Sequence, residues 1–364
     1  MFNKYFRKIL RLLQHKKIAG SNQAFVDCRC MQPEADLQLD RIATHHRNLY
    51  PIEHRSITML TVIQKSIFIT GFFIAFSTNL VVVHNATAMG LAERSVTIYA
   101  AGDIADCRKM EAAETPAAKT AELIATRLAD DKSAAVLTLG DHTYPVGLLS
   151  EFYNCYDKTW GQFKARTHPA PGNHEYYTPE AIGYYSYFKE PNDSSRRSYY
   201  SVEIGQWHVI SLNSNLRENA FAAQLAWLKE DLAQHPAKCT LAYWHHPVFS
   251  SGGHGNNDFM KETWKVLEAA NADVILSGHD HDYERFAPQD VNGQRDDAHG
   301  MREFIVGTGG AYLTPMFLRK ENSEISTNTT YGVLKMVLKE KSYEWEFLPV
   351  PGSAFTDHGT GECH

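Results

Sequence analysis

Five apolar segments of this chain each stop at an aspartate, an asparagine or a histidine. Ser95–Ala101 runs into Gly102-Asp103, Ala134–Leu139 into Gly140-Asp141, and Thr167–Pro171 into Gly172-Asn173-His174-Glu175. Cys239–Trp244 ends at His245-His246-Pro247, and Val274–Ser277 ends at Gly278-His279-Asp280-His281. An aspartate after one strand is ordinarily a turn residue. Five polar ends in succession need another reason, and open α/β sheets supply one, because they gather functional groups beyond the carboxyl ends of their strands. In extended backbone alternate side chains point the same way, so His279 and His281 can meet at one place.

Between these segments the pattern alternates strand with helix, the mark of a layered α/β domain. Thr115 followed by Pro116 predicts a helix start, with Ala121, Ile124, Ala125 and Leu128 on its apolar face. Ser198–Ile204 and Trp207–Leu212 predict a hairpin around Gly205-Gln206, and Phe221, Leu225, Leu228 and Leu232 predict a core-facing helical stripe. A further helix is expected around Met260–Ala270, with later strands at Glu303–Val306, Tyr331–Leu338 and Tyr343–Leu348. No repeat and no Pro/Gly/Ser linker divides residues 89–364, so they are read as one domain.

Charge is uneven. Of 36 basic and 42 acidic residues, 11 and 5 fall between the start of the chain and Lys65, leaving a balance of -12 beyond it. An acidic body excludes a non-specific nucleic-acid binder, which needs a basic face. Lys65, the nearly uncharged run 67–83 and Asn85-Ala86-Thr87-Ala88 together describe a signal peptide over 59–88 with cleavage after Ala88. An uncleaved membrane anchor is the alternative; Thr70, Gly71, Ser77, Thr78 and Asn79 dilute the run and favour cleavage. Residues 1–58 read as an upstream extension outside the mature protein, or as a basic cytoplasmic tail. Export to a periplasmic or extracellular space is expected, with membrane association only if the run stays uncleaved. Beyond Ala88 the four cysteines, Cys107, Cys155, Cys239 and Cys363, permit two disulfides in three pairings. None forms a CxxC pair, so a thiolate zinc site is not expected.

Oxygen and imidazole donors without cysteine suit Fe, Mn or Zn, and their number exceeds what one ion needs. Two ions sharing a carboxylate, ~3.5–4 Å apart, are a standard solution for phosphoester hydrolysis. Asp103, Gly-Asp141-His-Thr-Tyr144, Gly-Asn173-His174-Glu175, His245-x-Pro247 and Gly-His279-x-His281-x-Tyr-Glu-Arg285 resemble the ordered motifs of calcineurin-like metallophosphoesterases. The likeness is strongest to the purple acid phosphatase branch. Position 105 is Ala where many relatives carry a histidine, and Tyr144 stands in for that missing ligand.

The resemblance implies an αββα sandwich of two mixed sheets flanked by helices; little sequence separates Ala88 from the first motif strand, so a single catalytic domain without the N-terminal β-sandwich of plant-type enzymes is expected. It implies one ion held by Asp103, Asp141, Tyr144 and His281, and a second held by Asp141, Asn173, His245 and His279. Fe(III) paired with Zn, Mn or Fe(II) is the expected pair, because a phenolate is a hard anionic donor. It further implies His174 as the group that protonates the leaving alkoxide, and His254 as a substrate-binding histidine, with a solvated loop histidine as the alternative. The expected reaction is attack of a metal-bound hydroxide on a small phosphomonoester; a phosphodiesterase or nucleotidase shares the scaffold, and a non-enzymatic exported binding protein is the third reading. A metallo-β-lactamase-like enzyme is rejected, since Glu284 stands where its zinc motif would need a histidine.

His246 is read as a neighbour supporting the ligands and His142 as ambiguous. Glu284 and Arg285 are read as supports for the histidine loop. Gly307-Thr308-Gly309-Gly310 resembles the family's late Gly-rich turn, and no lysine follows it as a phosphate loop would require. The tyrosines at 176, 177, 184, 185 and 187 are expected to pack, with stacking on an aromatic leaving group as the alternative. His168, His208, His235, His358 and His364 have no partner by spacing and are left structural.

Overall fold

The computed structural model describes residues 95–189, 198–316 and 318–364. The extension 1–58, the segment 59–88 and its apolar run 67–83 lie outside the described residues. Among the described residues no helix is long and apolar enough to cross a membrane.

The polar-ended segments become strands β1 (Val96–Ala101), β2 (Ala135–Leu139) and β3 (Thr167–Ala170), paired in parallel. A second group, β5 (Trp207–Ser211), β6 (Cys239–Tyr243), β7 (Val274–Ser277) and β9 (Arg302–Val306), is also parallel. Antiparallel strands complete each sheet: β4 (Tyr200–Ile204), β8 (Tyr283–Phe286) and β10 (Ser323–Thr327) on the second. On the first they are β11 (Gly332–Leu338), β12 (Ser342–Pro349) and β13 (His358–Glu362). The orders are β13-β12-β11-β1-β2-β3 in six strands and β10-β8-β9-β7-β6-β5-β4 in seven. Both sheets are mixed, as the sandwich requires.

Period-two alternation assigns the faces. Val209, Leu241, Leu276 and Phe304 join a core that also holds Val136, Leu334 and Trp345 of the first sheet. Their neighbours Ile210, Ala242, Ile275 and Ile305 face the other way, onto Leu228, Trp264 and Leu267. Those three belong to helices α3 (Glu218–Gln234) and α4 (Lys261–Glu268). Helix α1 (Pro116–Asp130) packs on the first sheet, with the Thr115 side chain accepting the Ala118 N–H as its cap. A short helix α2 (Ile182–Phe188) brings Tyr184 and Tyr187 into the same core.

Two expectations are corrected. On α3 only Leu228 of the apolar stripe is fully buried; Phe221, Leu225 and Leu232 are half-buried. Gln224 and Asp231 take buried positions there, because Gln224 caps the Asn213 backbone and Asp231 bonds Ser201 and His208. His208 and His235 are not without partners: spacing along the chain hides neighbours that come from an opposite strand and a helix end. Of the three cysteine pairings, Cys107–Cys155 and Cys239–Cys363 form, which suits an oxidising compartment.

Candidate metal centre

At Asp103, Asp141 and His279 the chain turns through the left-handed region, with φ of 58°, 50° and 72°. That conformation is uncommon outside glycine and concentrates at functional sites. Here it lets each side chain fold back over the strand end. The loops pass so closely that glycine is needed beside them: a Cβ on Gly278 would lie 2.6 Å from Asp103 Oδ2, and one on Gly172 would overlap Asp141.

Asp103, Asp141, Tyr144, His245, His279 and His281 are buried or nearly so, and with Asn173 their donor atoms fall into two adjoining groups. In the first, the Tyr144 hydroxyl lies 3.0 Å from Asp103 Oδ1, 3.3 Å from Asp141 Oδ2 and 3.2 Å from His281 Nε2. In the second, His245 Nε2 lies 3.3 Å from Asp141 Oδ2, 3.1 Å from Asn173 Oδ1 and 3.2 Å from His279 Nδ1. Asp141 Oδ2 belongs to both.

The far nitrogens of two imidazoles are already engaged. His245 Nδ1 donates to the Leu139 carbonyl at 2.8 Å and His281 Nδ1 to that of Tyr312 at 2.6 Å. Both rings therefore turn an Nε2 lone pair inward, the second partner expected of a metal-binding histidine. Lone pairs of nitrogen, carboxylate and amide oxygen facing one another at 3.1–3.3 Å repel unless a cation lies between them. Around an ion with ~2.1 Å bonds, neighbouring ligands stand about 3 Å apart. The donor set fits two cations.

Electrostatics agree. Burial works against the charged forms of His245 and Asp141, but their mutual attraction wins, holding His245 above and Asp141 below its ordinary value. Burial and the charge on His245 together push His279 down. The charge of Asp141 thus favours a positive group at His245 Nε2, be it a proton or a cation. Tyr144 is pushed well up by burial and by Asp103 and Asp141, so only a strongly Lewis-acidic cation bound there would displace its proton to solvent.

Buried carboxylates away from the ligand set hold the loops. Glu175 accepts the backbone N–H of Asp141 at 3.0 Å, His142 at 2.9 Å and Gly172 at 2.7 Å, clasping the turns after β2 and β3. Glu303 accepts from Val248 and Phe249, and Glu284 from Ser251. Glu284 therefore steadies the loop carrying His254 rather than the histidine loop itself. Arg285 turns to Asp357 and Glu324. The Gly-rich turn laces the centre together: Gly309 N–H donates to Gly102, and Gly307 N–H to Asp282.

His174 stands at the rim with Nδ1 2.6 Å from the Pro145 carbonyl and Nε2 3.8 Å from Asp141 Oδ2. The His254 ring lies 4.3 Å from that of His279, and Asp280 Oδ1 accepts both its backbone N–H, at 2.8 Å, and its Nδ1–H, at 3.0 Å. The Asp280 bond raises His254, with burial opposing. His246 bonds Ser214 through Nδ1 at 2.7 Å. His142 is buried, bonded to Thr138 and ringed by Phe152, Tyr156, Tyr184 and Phe188, on the core side of its loop. The tyrosine group divides: Tyr184 and Tyr187 are buried, whereas Tyr177 is 60% exposed beside His174. Sequence reasoning assigns no role to Glu175 or Asp280; their only signal is a charge written inside a ligand motif.

A family model described as calcineurin-like phosphoesterase matches residues 96–283. Purple acid phosphatase 18 of Arabidopsis thaliana is 30% identical over 153 residues, 38% of this chain and 35% of that protein. A protein named probable inactive purple acid phosphatase 9, also from Arabidopsis thaliana, is 24% identical over 247 residues, 54% of this chain and 37% of that one. The chain thus spans about a third of the length of these curated relatives. The structure of a purple acid phosphatase from yellow lupin (Lupinus luteus) seeds shares the fold, with a TM-score of 0.58 at 17% identity over 74% of this chain and 54% of that chain.

Proposed function

The chain belongs to the calcineurin-like phosphoesterase family, and on that ground we propose that it is an exported phosphatase hydrolysing small phosphomonoesters at a dinuclear metal centre. The observation that carries the reading is the pair of donor groups meeting at Asp141 with lone pairs turned inward. One of the relatives is named inactive; here no expected ligand position is vacant, which favours catalysis.

Asp103, Asp141, Tyr144 and His281 would hold one ion and Asp141, Asn173, His245 and His279 the other. When bound, the ions supply Lewis acidity, neutralising phosphoryl charge and acidifying a coordinated water. Fe(III) suits the Tyr144 side, with Zn, Mn or Fe(II) on the other. His174, its Nδ1 fixed by Pro145, keeps Nε2 toward the centre and can deliver a proton to the departing alkoxide. His254, oriented by Asp280, offers Nε2 to a phosphoryl oxygen. Two disulfides suit the exported setting.

The test is hydrolysis by the metal-reconstituted protein of p-nitrophenyl phosphate against bis(p-nitrophenyl) phosphate. Faster monoester turnover is expected; faster diester turnover would move the assignment to a phosphodiesterase, and no turnover of either would end it.

A further inference from the structure

We propose that Glu203, His208 and His235 form a second, separate site for a late first-row divalent cation such as Zn(II). It lies toward the amino end of β5, whereas the centre described above lies beyond the carboxyl ends of the parallel strands.

The tight turn at Gly205-Gln206 sets Glu203 of β4 directly opposite His208 of β5. The end of α3 brings His235 alongside, its imidazole stacked on that of His208 at 5.2 Å and 7° from parallel. Glu203 Oε1 lies 2.8 Å from His208 Nδ1 and 3.9 Å from His235 Nδ1. One ligand atom from each of the three residues falls within 4.8 Å of the others.

The other edge of His208 is what separates this group from a chance cluster. Nε2 is 2.8 Å from Asp231 Oδ2, and Asp231 is itself buried and fixed by the Ser201 hydroxyl at 2.7 Å. A buried carboxylate holding one imidazole nitrogen, so that the other points at a cation, is the usual second partner of a histidine ligand. Glu203 and His235 are half-exposed, giving an ion and its completing water a way in from solvent. The carbonyl end of a helix favours positive charge. Two imidazoles and a carboxylate suit Zn(II), Co(II), Ni(II) or Cu(II) rather than Mg or Ca.

Without a cation a proton takes its place. Burial opposes it, but the bonds to Asp231 and Glu203 hold His208 above the ordinary imidazole value. On binding, the His208 Nδ1 proton leaves to solvent and the cation takes the lone pair, tying the β4–β5 hairpin to the end of α3.

The test uses the full chain with its catalytic metals loaded, and Zn(II) alone as probe. Equilibrium dialysis with elemental analysis should show one Zn more per chain in the wild type than in His235→Ala. Calorimetry should show affinity falling at least tenfold in H235A and E203Q, with p-nitrophenyl phosphate turnover unchanged. Equal Zn uptake by the wild type and both variants would overturn the proposal, as would a wild type that takes up none beyond its catalytic complement. Because both altered residues are half-exposed, loss of the fold will not mask the result.

Discussion

The two sheets bring different atoms to one cleft. Loops after β1, β2 and β3 of the first sheet deliver oxygen through Asp103, Asp141, Tyr144 and Asn173. Loops after β6 and β7 of the second deliver nitrogen through His245, His279 and His281. The oxygen side is held by backbone N–H groups gathered on Glu175, the nitrogen side by ring N–H groups spent on carbonyls. Each side also fixes the other: His245 bonds the Leu139 carbonyl of β2, and Asp103 Oδ2 accepts the His279 N–H at 2.8 Å. Each half thus leans on the other, and substitutions on either side test how much.

The largest effect is expected at the atom the halves share. Asp141→Ala should lower kcat on p-nitrophenyl phosphate by about 10³-fold or more, since it removes the donor that both groups share. Circular dichroism should be unchanged, and retained turnover would break the two-sided picture. Glu175→Gln tests the oxygen side without touching a ligand. It should cost about 10-fold in kcat, because one amide oxygen replaces a carboxylate that accepts three N–H bonds. Asn173→Ala measured beside it should cost more.

On the nitrogen side, His254→Ala should raise KM about 10-fold with a smaller change in kcat, the split expected of a phosphate-binding group. Asp280→Asn should reproduce part of that rise and add little in the double variant. Full additivity would show that the two act separately.

The smallest effect on turnover is expected at a residue outside the donor groups, Asp357, which joins the sheets. It accepts from Tyr283 at 2.7 Å and Arg285 at 2.8 Å on β8, and from Trp345 at 3.1 Å on β12. Asp357→Ala should destabilise the fold by about 3 kcal/mol, lowering Tm by roughly 5–10 °C, with kcat near wild type. Burial raises the Asp357 carboxyl, but the bonds from Arg285 and Tyr283 prevail and depress it below its ordinary value. Its contribution is therefore full above the ordinary carboxylate range and lost as pH falls through the depressed value. The Tm gap between wild type and D357A should narrow on acidification; a constant gap would contradict this.

The donors that the fold gathers at one place were legible because strand ends and short motifs are local facts. Gly-Asp141, Gly-Asn173 and Gly-His279-x-His281 each announce a strand, a sharp turn and a donor within a few residues. What holds those donors was not legible, because it depends on pairing across the fold. Glu175 reaches a turn 34 residues earlier, and Asp280 reaches 26 residues back to His254. His208 was left without a partner for the same reason, its carboxylates arriving from β4 and α3. The α3 stripe misled because Gln224 and Asp231 are buried for their hydrogen bonds, which periodicity of apolar residues does not register.

Anomalous diffraction from metal-loaded crystals tests the central claim most directly. Two peaks ~3.5–4 Å apart are expected, one among Asp103, Tyr144 and His281, the other among Asn173, His245 and His279, with Asp141 between them. A catalytically active crystal with a single peak there, or with none, would contradict it.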